Sequence, residues 1–463
     1  MTANSNHARD IAYQLHPQTN FSLHEKIGPT IISRGEGFHV YDDAGNRYLE
    51  AMAGLWCAAL GFSENRLAEA AAKQFAALPY YQNFAHRTSE PAIALSERLI
   101  EIAPVPMSKV LFQSSGSEAN DTAVKLAWYY FHAIGKPQKR KIIARKRAYH
   151  GTSIASASLT GLPHIHRDFN LPLDGFLHVT CPHFYREGLP GESEEAFATR
   201  LAKEIEDLIL AEGPETVAAF FAEPVMGTGG CVVPPKGYYE KVQAILRKYE
   251  VLFVVDEVIT GFGRTGSWWG SQTYDLKPDM ISSAKALTAA YQPLSALLLS
   301  EPIYQAMKEQ GDKIGVFGHG YTYGGHPIAC AVGLEALTLY EERGLIAGAQ
   351  VLGAQLEGRL KALLDHPLVG EVRGVGLMWG IELVRSKATR QAFEPSLKFG
   401  LEIQRLAFEN GLIVRALGDT LIMTPPLIIT PEGIDDAVDR FTRALDLGLD
   451  LLTTKGIALD KAA

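Results

Sequence analysis

Between residues 110 and 300, short apolar runs alternate with longer segments whose apolar positions recur every three or four residues. Continuous apolar runs of this length are typical of strands that are buried on both faces of a sheet. A chain that alternates such strands with helices favours a mostly parallel α/β sheet. The predicted strands cover residues 110–113, 141–145, 218–223, 251–256, 280–283 and 294–299.

The flanking regions follow other patterns. Residues 1–35 predict an irregular arm with a little helix, 37–49 a hairpin, and 66–78 and 90–103 two helices. Past residue 330 long helical patterns surround short strands, which predicts a separate α+β domain. We therefore divide the chain into an arm with part of the small domain (1–65), a large domain (66–330) and a C-terminal small domain (331–463). The C-terminal helices are expected at 327–343, 346–365, 396–411 and 431–452, and the strands at 376–384, 412–416 and 420–424.

Composition narrows the classes of protein. The chain has 463 residues, 47% hydrophobic and 21% charged, which are ordinary globular values. A net charge of −8 disfavours binding to nucleic acid. No apolar run approaches the ~20 residues of a membrane span, and residues 1–16 lack the apolar stretch of a signal peptide. The four cysteines are far apart, so we expect reduced thiols in a cytoplasmic protein.

Three motifs carry candidate chemistry. Residues 113–120 join a strand to a helix that is predicted to start at Gly116 and to stop at Gly135, and a helix N-terminus suits an anion such as phosphate. Asp256 ends an apolar strand, where ligands bind in parallel sheets. Lys285 also follows an apolar stretch, and a partly buried lysine can form a Schiff base with an aldehyde. Taken singly, each motif has a plain structural alternative: a serine helix cap, a structural ion pair and an exposed lysine.

Together the three motifs supply the parts that pyridoxal phosphate requires: a phosphate seat, a carboxylate for the ring nitrogen and a lysine for the aldehyde. Strand alternation places Val258 on the same side as Asp256, where it can pack on the ring. Tyr149 follows the predicted strand 141–145 and is a natural stacking partner for the other ring face, although it could equally pack in the core.

With these residues the chain resembles the class III aminotransferases, and it is most similar to the ω-amino acid or amine:pyruvate transaminases. The matching motifs, in the order of the family, are residues 114–120, 149–151, 221–225, 256–266, 283–287 and 320–327. The resemblance implies pyridoxal-phosphate fold type I, the aspartate aminotransferase-like α/β fold, with a mostly parallel seven-stranded sheet in the large domain and a small α+β domain.

The resemblance also implies roles for single residues. Lys285 would form the Schiff base and move the proton, while Asp256 would pair with the ring nitrogen. The other cofactor-binding positions would be Ser115, Gly116 and Ser117 at the phosphate, Tyr149 and Val258 on the two ring faces, Glu223 near the ring hydroxyl, and Thr322, which would reach the phosphate of a neighbouring subunit. This last role implies a homodimer, or a tetramer, with shared active sites.

The substrate pocket implied by the resemblance is aromatic. Trp56, Phe84 and Tyr149 would line it, with Phe84 coming from the partner chain, and Thr228 would border its smaller side. Arg415 would bind the carboxylate of pyruvate or an amino acid and swing away for an uncharged amine. From the residues alone, Trp56 and Phe84 could also be core residues and Arg415 a surface arginine.

The predicted reaction is a ping-pong transfer of an amino group from an amine or ω-amino acid to an α-keto acid such as pyruvate. The alternatives are another fold-type-I pyridoxal-phosphate enzyme (aminomutase, decarboxylase or racemase) and a non-catalytic protein that binds a phosphate ligand. Residues 261–266 match the GxGxxG pattern of dinucleotide sites, but no good helix start follows them. The histidines and Cys181 within 164–183 lack the spacing of a zinc site, so no metal is predicted.

Overall fold

The computed structural model describes residues 5–459, which form three β-sheets surrounded by helices. The strands are β1 (Ile32–Glu36), β2 (His39–Asp42), β3 (Arg47–Glu50), β4 (Lys109–Gln113), β5 (Lys141–Arg145), β6 (Phe176–Val179), β7 (Val217–Ala222), β8 (Leu252–Asp256), β9 (Met280–Ser283), β10 (Ser295–Leu299), β11 (Val369–Val375), β12 (Met378–Leu383), β13 (Leu412–Ile413), β14 (Arg415–Leu417) and β15 (Thr420–Met423).

The α-helices are α1 (Asn6–Tyr13), α2 (Phe21–Ile27), α3 (Ala53–Trp56), α4 (Asn65–Ala77), α5 (Glu90–Glu101), α6 (Gly116–Ala133), α7 (Ile154–Leu159), α8 (Pro163–His166), α9 (Phe184–Glu187), α10 (Glu194–Glu212), α11 (Tyr238–Lys248), α12 (Gly270–Thr273), α13 (Glu301–Ile314), α14 (Pro327–Glu342), α15 (Leu345–Ala362), α16 (Phe399–Glu409) and α17 (Pro431–Thr454). Short 3₁₀ turns occupy Pro214–Thr216, Lys285–Thr288, Leu363–Asp365 and Pro395–Leu397. Within residues 5–459 no helix is both long and apolar enough to cross a membrane.

The central sheet has seven strands in the order β4-β10-β9-β8-β7-β5-β6. Only β10 runs antiparallel to its neighbours, so the prediction of a mostly parallel seven-stranded sheet is confirmed. Every residue of β7 and β8 is buried, which explains their continuous apolar sequences. The edge strand β6 is only half buried and was not among the predicted strands.

Helix α6 positions the start of the candidate phosphate site. Its buried face includes Ala119, Ala123, Leu126 and Ala127, as the spacing predicts. The chain leaves the helix through Gly135, whose φ of 76° is in the left-handed region that favours glycine.

The two ends of the chain share a sheet. Strand β13 pairs in parallel with β3 in a four-stranded sheet, and a second four-stranded sheet has the order β11-β12-β15-β14. The single strand expected at 412–416 is therefore wrong: it divides into β13 and β14, which belong to different sheets. The domain boundaries stay predictions, although a division after residue 330 would cut helix α14 (Pro327–Glu342).

Candidate active site

A cavity of about 340 Å³ opens at one edge of the central sheet. The chain reaches it directly after β4, β7, β8 and β9, whose carboxyl ends meet at that edge. Its volume lies in the range of about 300–1,000 Å³ that small-molecule sites occupy. Of the residues predicted for the cofactor site, the cavity brings together Ser115, Gly116, Ser117, Tyr149, Glu223, Asp256, Val258 and Lys285.

Asp256 is the last residue of β8 and is only 4% exposed. Its Oδ2 accepts a hydrogen bond from Asn120 Nδ2 at 2.7 Å and lies 2.8 Å from His150 Nδ1, and its Oδ1 accepts from the backbone N–H of Val258 at 3.0 Å. No lysine or arginine of residues 5–459 forms a salt bridge with it. A buried carboxylate that faces a cavity without a cationic partner suits a positively charged ligand group.

The N-terminus of α6 forms the second part of the cavity wall. Ser115 caps the helix by accepting from the Glu118 N–H at 3.2 Å, and Ser117 Oγ accepts from the Thr152 N–H at 3.1 Å. Ser115 is therefore a helix cap, as the structural alternative has it. The hydroxyl protons of Ser115 and Ser117 and the N–H groups of Gly116 and Ser117 can still face an anion. A Cβ on Gly116 would lie 3.0 Å from both methyl carbons of Val258, so glycine allows these two walls to meet.

Lys285 follows β9 and is half buried at the cavity surface. Its φ is 47°, a left-handed conformation that costs a non-glycine residue of order 1–3 kcal/mol. It opens the 3₁₀ turn Lys285–Thr288, and β9 pairs with β8 in parallel, with Ser282 opposite Asp256. The strand ends thus bring an amine and a carboxylate to one cavity.

Glu223 connects two backbone segments of the site. Its Oε1 accepts from the Tyr149 N–H at 3.2 Å and its Oε2 from the Gly227 N–H at 2.8 Å. Burial raises the pKa of this carboxyl above its ordinary value, although His150 nearby opposes the shift. Glu223 therefore fixes the position of Tyr149, whose ring borders the cavity.

Arg415 and Trp56 form a pair beside the cavity rather than part of its wall. The Arg415 guanidinium lies 5.2 Å from the centroid of the Trp56 ring. Burial lowers the pKa of Arg415. Burial also raises the pKa of Tyr149, and the positive charge of Arg415 opposes that rise. Trp56 is 2% exposed and packs with the core, so the core alternative holds for its ring, while the next residue, Cys57, lines the cavity.

Besides Trp56 and Arg415, three predicted site residues lie outside the cavity of this chain. Thr228 is half buried in the loop after β7. Phe84 is 41% exposed and lines a different groove, together with Gly320 and Tyr321. Thr322 is exposed, and its carbonyl accepts from the Tyr80 hydroxyl at 2.8 Å. Phe84 and Thr322 therefore belong to one surface region, distinct from the cavity.

The structure adds residues that the motifs left without a role. Asn120 also donates to the His150 carbonyl at 2.8 Å and accepts from the Ser282 hydroxyl at 2.7 Å. His150 is buried, and its Nε2 has no hydrogen-bond partner among the described residues. The cavity wall further includes Cys57, Thr288, Ala290, Gln292, Pro293 and Leu294.

The two rival motifs take no part in this site. The segment 261–266 forms turns and is followed only by the four-residue helix α12, unlike a dinucleotide site. His166 and His178 each bond a backbone carbonyl, and His183 bonds Glu371, so the histidines of 164–183 are not gathered around one point. The absence of a resident metal stays a prediction.

The donor set fits pyridoxal phosphate. Its phosphate matches the anion site at the start of α6, its ring nitrogen matches the carboxylate of Asp256, which has no lysine or arginine partner among residues 5–459, and its aldehyde matches the amine of Lys285. A residue larger than glycine at position 116 would press on Val258 at that wall.

Comparisons with known proteins agree with this geometry. The family model for aminotransferase class-III matches residues 22–445. The mitochondrial gamma aminobutyrate transaminase 1 of Solanum lycopersicum is 48% identical over 420 residues, which cover 90% of this chain and 82% of the relative. A similar protein from Oryza sativa subsp. indica is 49% identical, with 90% and 81% covered.

Among solved structures, a thermostable omega transaminase from Pseudomonas jessenii is similar with a TM-score of 0.96 and 52% identity, covering 97% of this chain and 99% of that one. The Pseudomonas jessenii omega transaminase in complex with PMP gives the same values, a TM-score of 0.96 and 52% identity over 97% and 99%. The fold and site are thus those of a pyridoxal-phosphate enzyme of fold type I. The chain belongs to the class III aminotransferases.

Proposed function

We propose that this aminotransferase moves an amino group from an amine or an ω-amino acid to pyruvate in two half-reactions that share one cavity. The observation that carries the proposal is the guanidinium of Arg415 beside the cavity. Among residues 5–459 no carboxylate lies within 4.0 Å of it, although burial already lowers its pKa. A half-buried, unpaired guanidinium fits the carboxylate of a substrate, which it can bind through two hydrogen bonds.

The aromatic surroundings of Arg415 support a second kind of substrate. The guanidinium lies over the Trp56 ring, and its charge acts on Tyr149, which lines the cavity. An apolar amine can pack against aromatic surroundings of this kind when no carboxylate is present. A variant of the Pseudomonas jessenii omega transaminase with replaced tryptophan, phenylalanine and arginine residues was engineered for asymmetric synthesis of enantiopure bulky amines. These are the residue types of Trp56, Phe84 and Arg415. The plant relatives, named for γ-aminobutyrate, add an ω-amino acid to the candidate donors.

The roles of the site residues follow from their chemistry. When bound, pyridoxal phosphate supplies a ring that withdraws electrons from the carbon bearing the amine. Lys285 Nζ takes the proton from that carbon and returns a proton to the acceptor carbon in the second half-reaction; such acid–base steps contribute about 10²–10⁴-fold. Asp256 keeps the ring nitrogen protonated, while Asn120 and His150 hold its carboxylate.

The remaining cofactor-binding residues bind the phosphate or the ring. The first turn of α6, with Ser115, Gly116 and Ser117, binds the phosphate. Tyr149 and Val258 would hold the two faces of the ring, and Glu223, which accepts from the Tyr149 N–H, would lie near the ring hydroxyl. Thr228 borders the smaller side of the substrate pocket.

We further propose a homodimer or tetramer in which each site is completed by a partner. Phe84 and Thr322 lie in a region that also exposes Tyr80, Tyr81 and Tyr323, and Asn83 Nδ2 donates to the Gly324 carbonyl at 3.2 Å. An exposed aromatic surface of this kind suits a protein interface. Thr322 would then contact the phosphate in the partner's site, and Phe84 would line the partner's pocket. The cytoplasm is the compartment that the free thiols favour.

A panel of donors with pyruvate as the acceptor tests the proposal. The panel holds γ-aminobutyrate, β-alanine, taurine, a diamine and 1-phenylethylamine, and the assay follows formation of alanine. We expect turnover with at least one donor that lacks an α-carboxylate. No alanine from any donor, with turnover restored by 2-oxoglutarate, would refute pyruvate as the acceptor.

A further inference from the structure

The short segment α3 (Ala53–Trp56), just after β3, is an irregular turn rather than a regular helix, since the dihedral angles of Gly54 and Leu55 are not helical. In residues 52–56, here called the pocket turn, Ala53 has a φ of 48°, Gly54 of 67° and Trp56 of 59°. Residues other than glycine rarely adopt these left-handed angles, so such a turn persists only where its surroundings hold it.

The group that holds the pocket turn is the carboxylate of Glu50. This residue ends β3, which is paired with β2 on one side and with β13 on the other, and it is only 3% exposed. Its Oε1 accepts from the Met52 N–H at 3.0 Å, and its Oε2 accepts from the Gly54 N–H. Within residues 5–459 no basic side chain forms a salt bridge with Glu50, so its hydrogen bonds go to the pocket turn.

The pocket turn positions two side chains at the candidate active site, Trp56 beside the cavity and Cys57 in its wall. The Trp56 N–H donates to the Met52 carbonyl at 2.9 Å and the Cys57 N–H to the Ala53 carbonyl at 2.8 Å. Through this backbone Trp56 is held under the guanidinium of Arg415, and Cys57 is held at the cavity wall. We propose that Glu50 is a positioning residue that sets donor selectivity by fixing the pocket turn. The inference rests on the proposed function, because it assumes that the donor packs against Trp56.

The protonation of Glu50 supports this role. Burial raises the pKa of Glu50 to about 7, although the Gly54 and Met52 N–H groups and the charge of Arg264 all act to lower it. Arg264, itself buried, and the Cys57 thiol, whose pKa burial raises, are the titratable groups coupled to it. As the pH falls from 8 to 6 the carboxylate gains a proton, and one acceptor for the pocket turn is lost.

Two variants perturb the pocket turn independently. Glu50→Gln keeps the volume but replaces one acceptor oxygen by an amide NH2 group, which cannot accept, so either the Met52 or the Gly54 N–H loses its partner. Gly54→Ala adds a Cβ that would meet nothing within 4 Å, so its only effect is strain at a φ of 67°. The matched control is Gly45→Ala, since Gly45 has a φ of 88° and equally open surroundings, but lies in the turn between β2 and β3.

The assay is the donor half-reaction of the cofactor-loaded enzyme, followed by its absorbance without any keto acid. We expect Glu50→Gln and Gly54→Ala to change the ratio of apparent affinities for 1-phenylethylamine and isopropylamine about 10-fold, equivalent to about 1.4 kcal/mol. The limiting rates should stay within about 3-fold of the original rate, less than the loss of an acid–base group would cause. Gly45→Ala should leave the ratio unchanged.

The pH profile gives a second readout. In the original enzyme the ratio should drift between pH 8 and 6 toward that of Glu50→Gln, whose own ratio should stay constant. Equal losses for both donors, or equal effects of Gly45→Ala and Gly54→Ala, would overturn the role of Glu50. The half-reaction needs no acceptor, so failure of pyruvate in the donor panel leaves this test intact. If Glu50→Gln does not fold, Gly54→Ala decides the outcome.

Discussion

Replacing Gly116 by alanine tests whether the wall between helix α6 and Val258 shapes the cofactor site. The new Cβ would lie 3.0 Å from both Val258 methyl carbons, closer than carbon atoms normally approach. In a helix, alanine gains about 0.4–1 kcal/mol over glycine through the unfolded chain, whereas overpacking costs about 1–3 kcal/mol. Because Val258 borders the cavity, it can move into that space, and the strain then falls on ligand binding rather than on folding.

We therefore expect the cofactor-free Gly116→Ala protein to melt within about 2 °C of the original protein, and its affinity for pyridoxal phosphate to fall about 10-fold, or about 1.4 kcal/mol. Absorbance titration of the cofactor-free protein measures the affinity. Gly358→Ala is the matched control, since Gly358 lies in α15 and its Cβ would meet nothing within 4 Å. In a double-mutant cycle, Val258→Ala should reduce the loss caused by Gly116→Ala. Unchanged affinity, or strict additivity in the cycle, would refute the reasoning.

Three further predictions concern the charged groups. Asp256→Asn should lower kcat about 10²-fold or more in steady-state assays. The control Asp279→Asn, which removes a carboxylate outside the cavity, should not lower kcat. A loss below about 5-fold for Asp256→Asn would remove that residue from the mechanism. Arg415→Met should lower kcat/KM for pyruvate and alanine about 10²-fold, because a hydrogen-bonded contact between charged groups contributes about 3 kcal/mol. The kcat/KM for an uncharged amine should change only slightly. Equal losses for both kinds of substrate would reject the carboxylate site. Desolvation would raise the pKa of Glu382, but the charges of Arg373, His183 and Arg186 together outweigh it and lower the pKa to about 2. The stability that ionised Glu382 contributes is present above pH 4.5 and is lost as the pH falls toward 2, a loss of about 3 kcal/mol. In Glu382→Gln the free energy of unfolding should therefore depend less steeply on pH over that range. An unchanged slope would contradict the role of Glu382.

The sequence was informative where short-range rules apply. Apolar runs predicted six of the seven strands of the central sheet, and the rule that ligands bind at the carboxyl ends of parallel strands brought Asp256 and Lys285 to one place. The three- and four-residue spacing of apolar positions predicted α6, and with it the anion site at Gly116.

Other features depend on contacts that no local pattern encodes. Asn120 lies three residues before Ala123 and seven before Ala127, on the buried face of α6. A polar residue on that buried face indicates that Asn120 has a hydrogen-bond partner. The partner, Asp256, lies on β8 and comes close only when the helix packs on the folded sheet. The left-handed pocket turn shows no proline or paired-glycine signature, so the role of Glu50 was invisible in the sequence. Phe84 and Thr322 lie outside the cavity, and the contacts proposed for them are with a second subunit, which no pattern within one chain shows.

The central claim is that Lys285 is the amine that holds the cofactor. Reduction of the cofactor-loaded enzyme with borohydride, followed by proteolysis and mass spectrometry of the peptides, tests it directly. If Lys285 is that amine, reduction fixes a pyridoxyl group to Lys285, and Lys285→Ala carries no such label. A label on a different lysine, or undiminished amino transfer by Lys285→Ala, would contradict it.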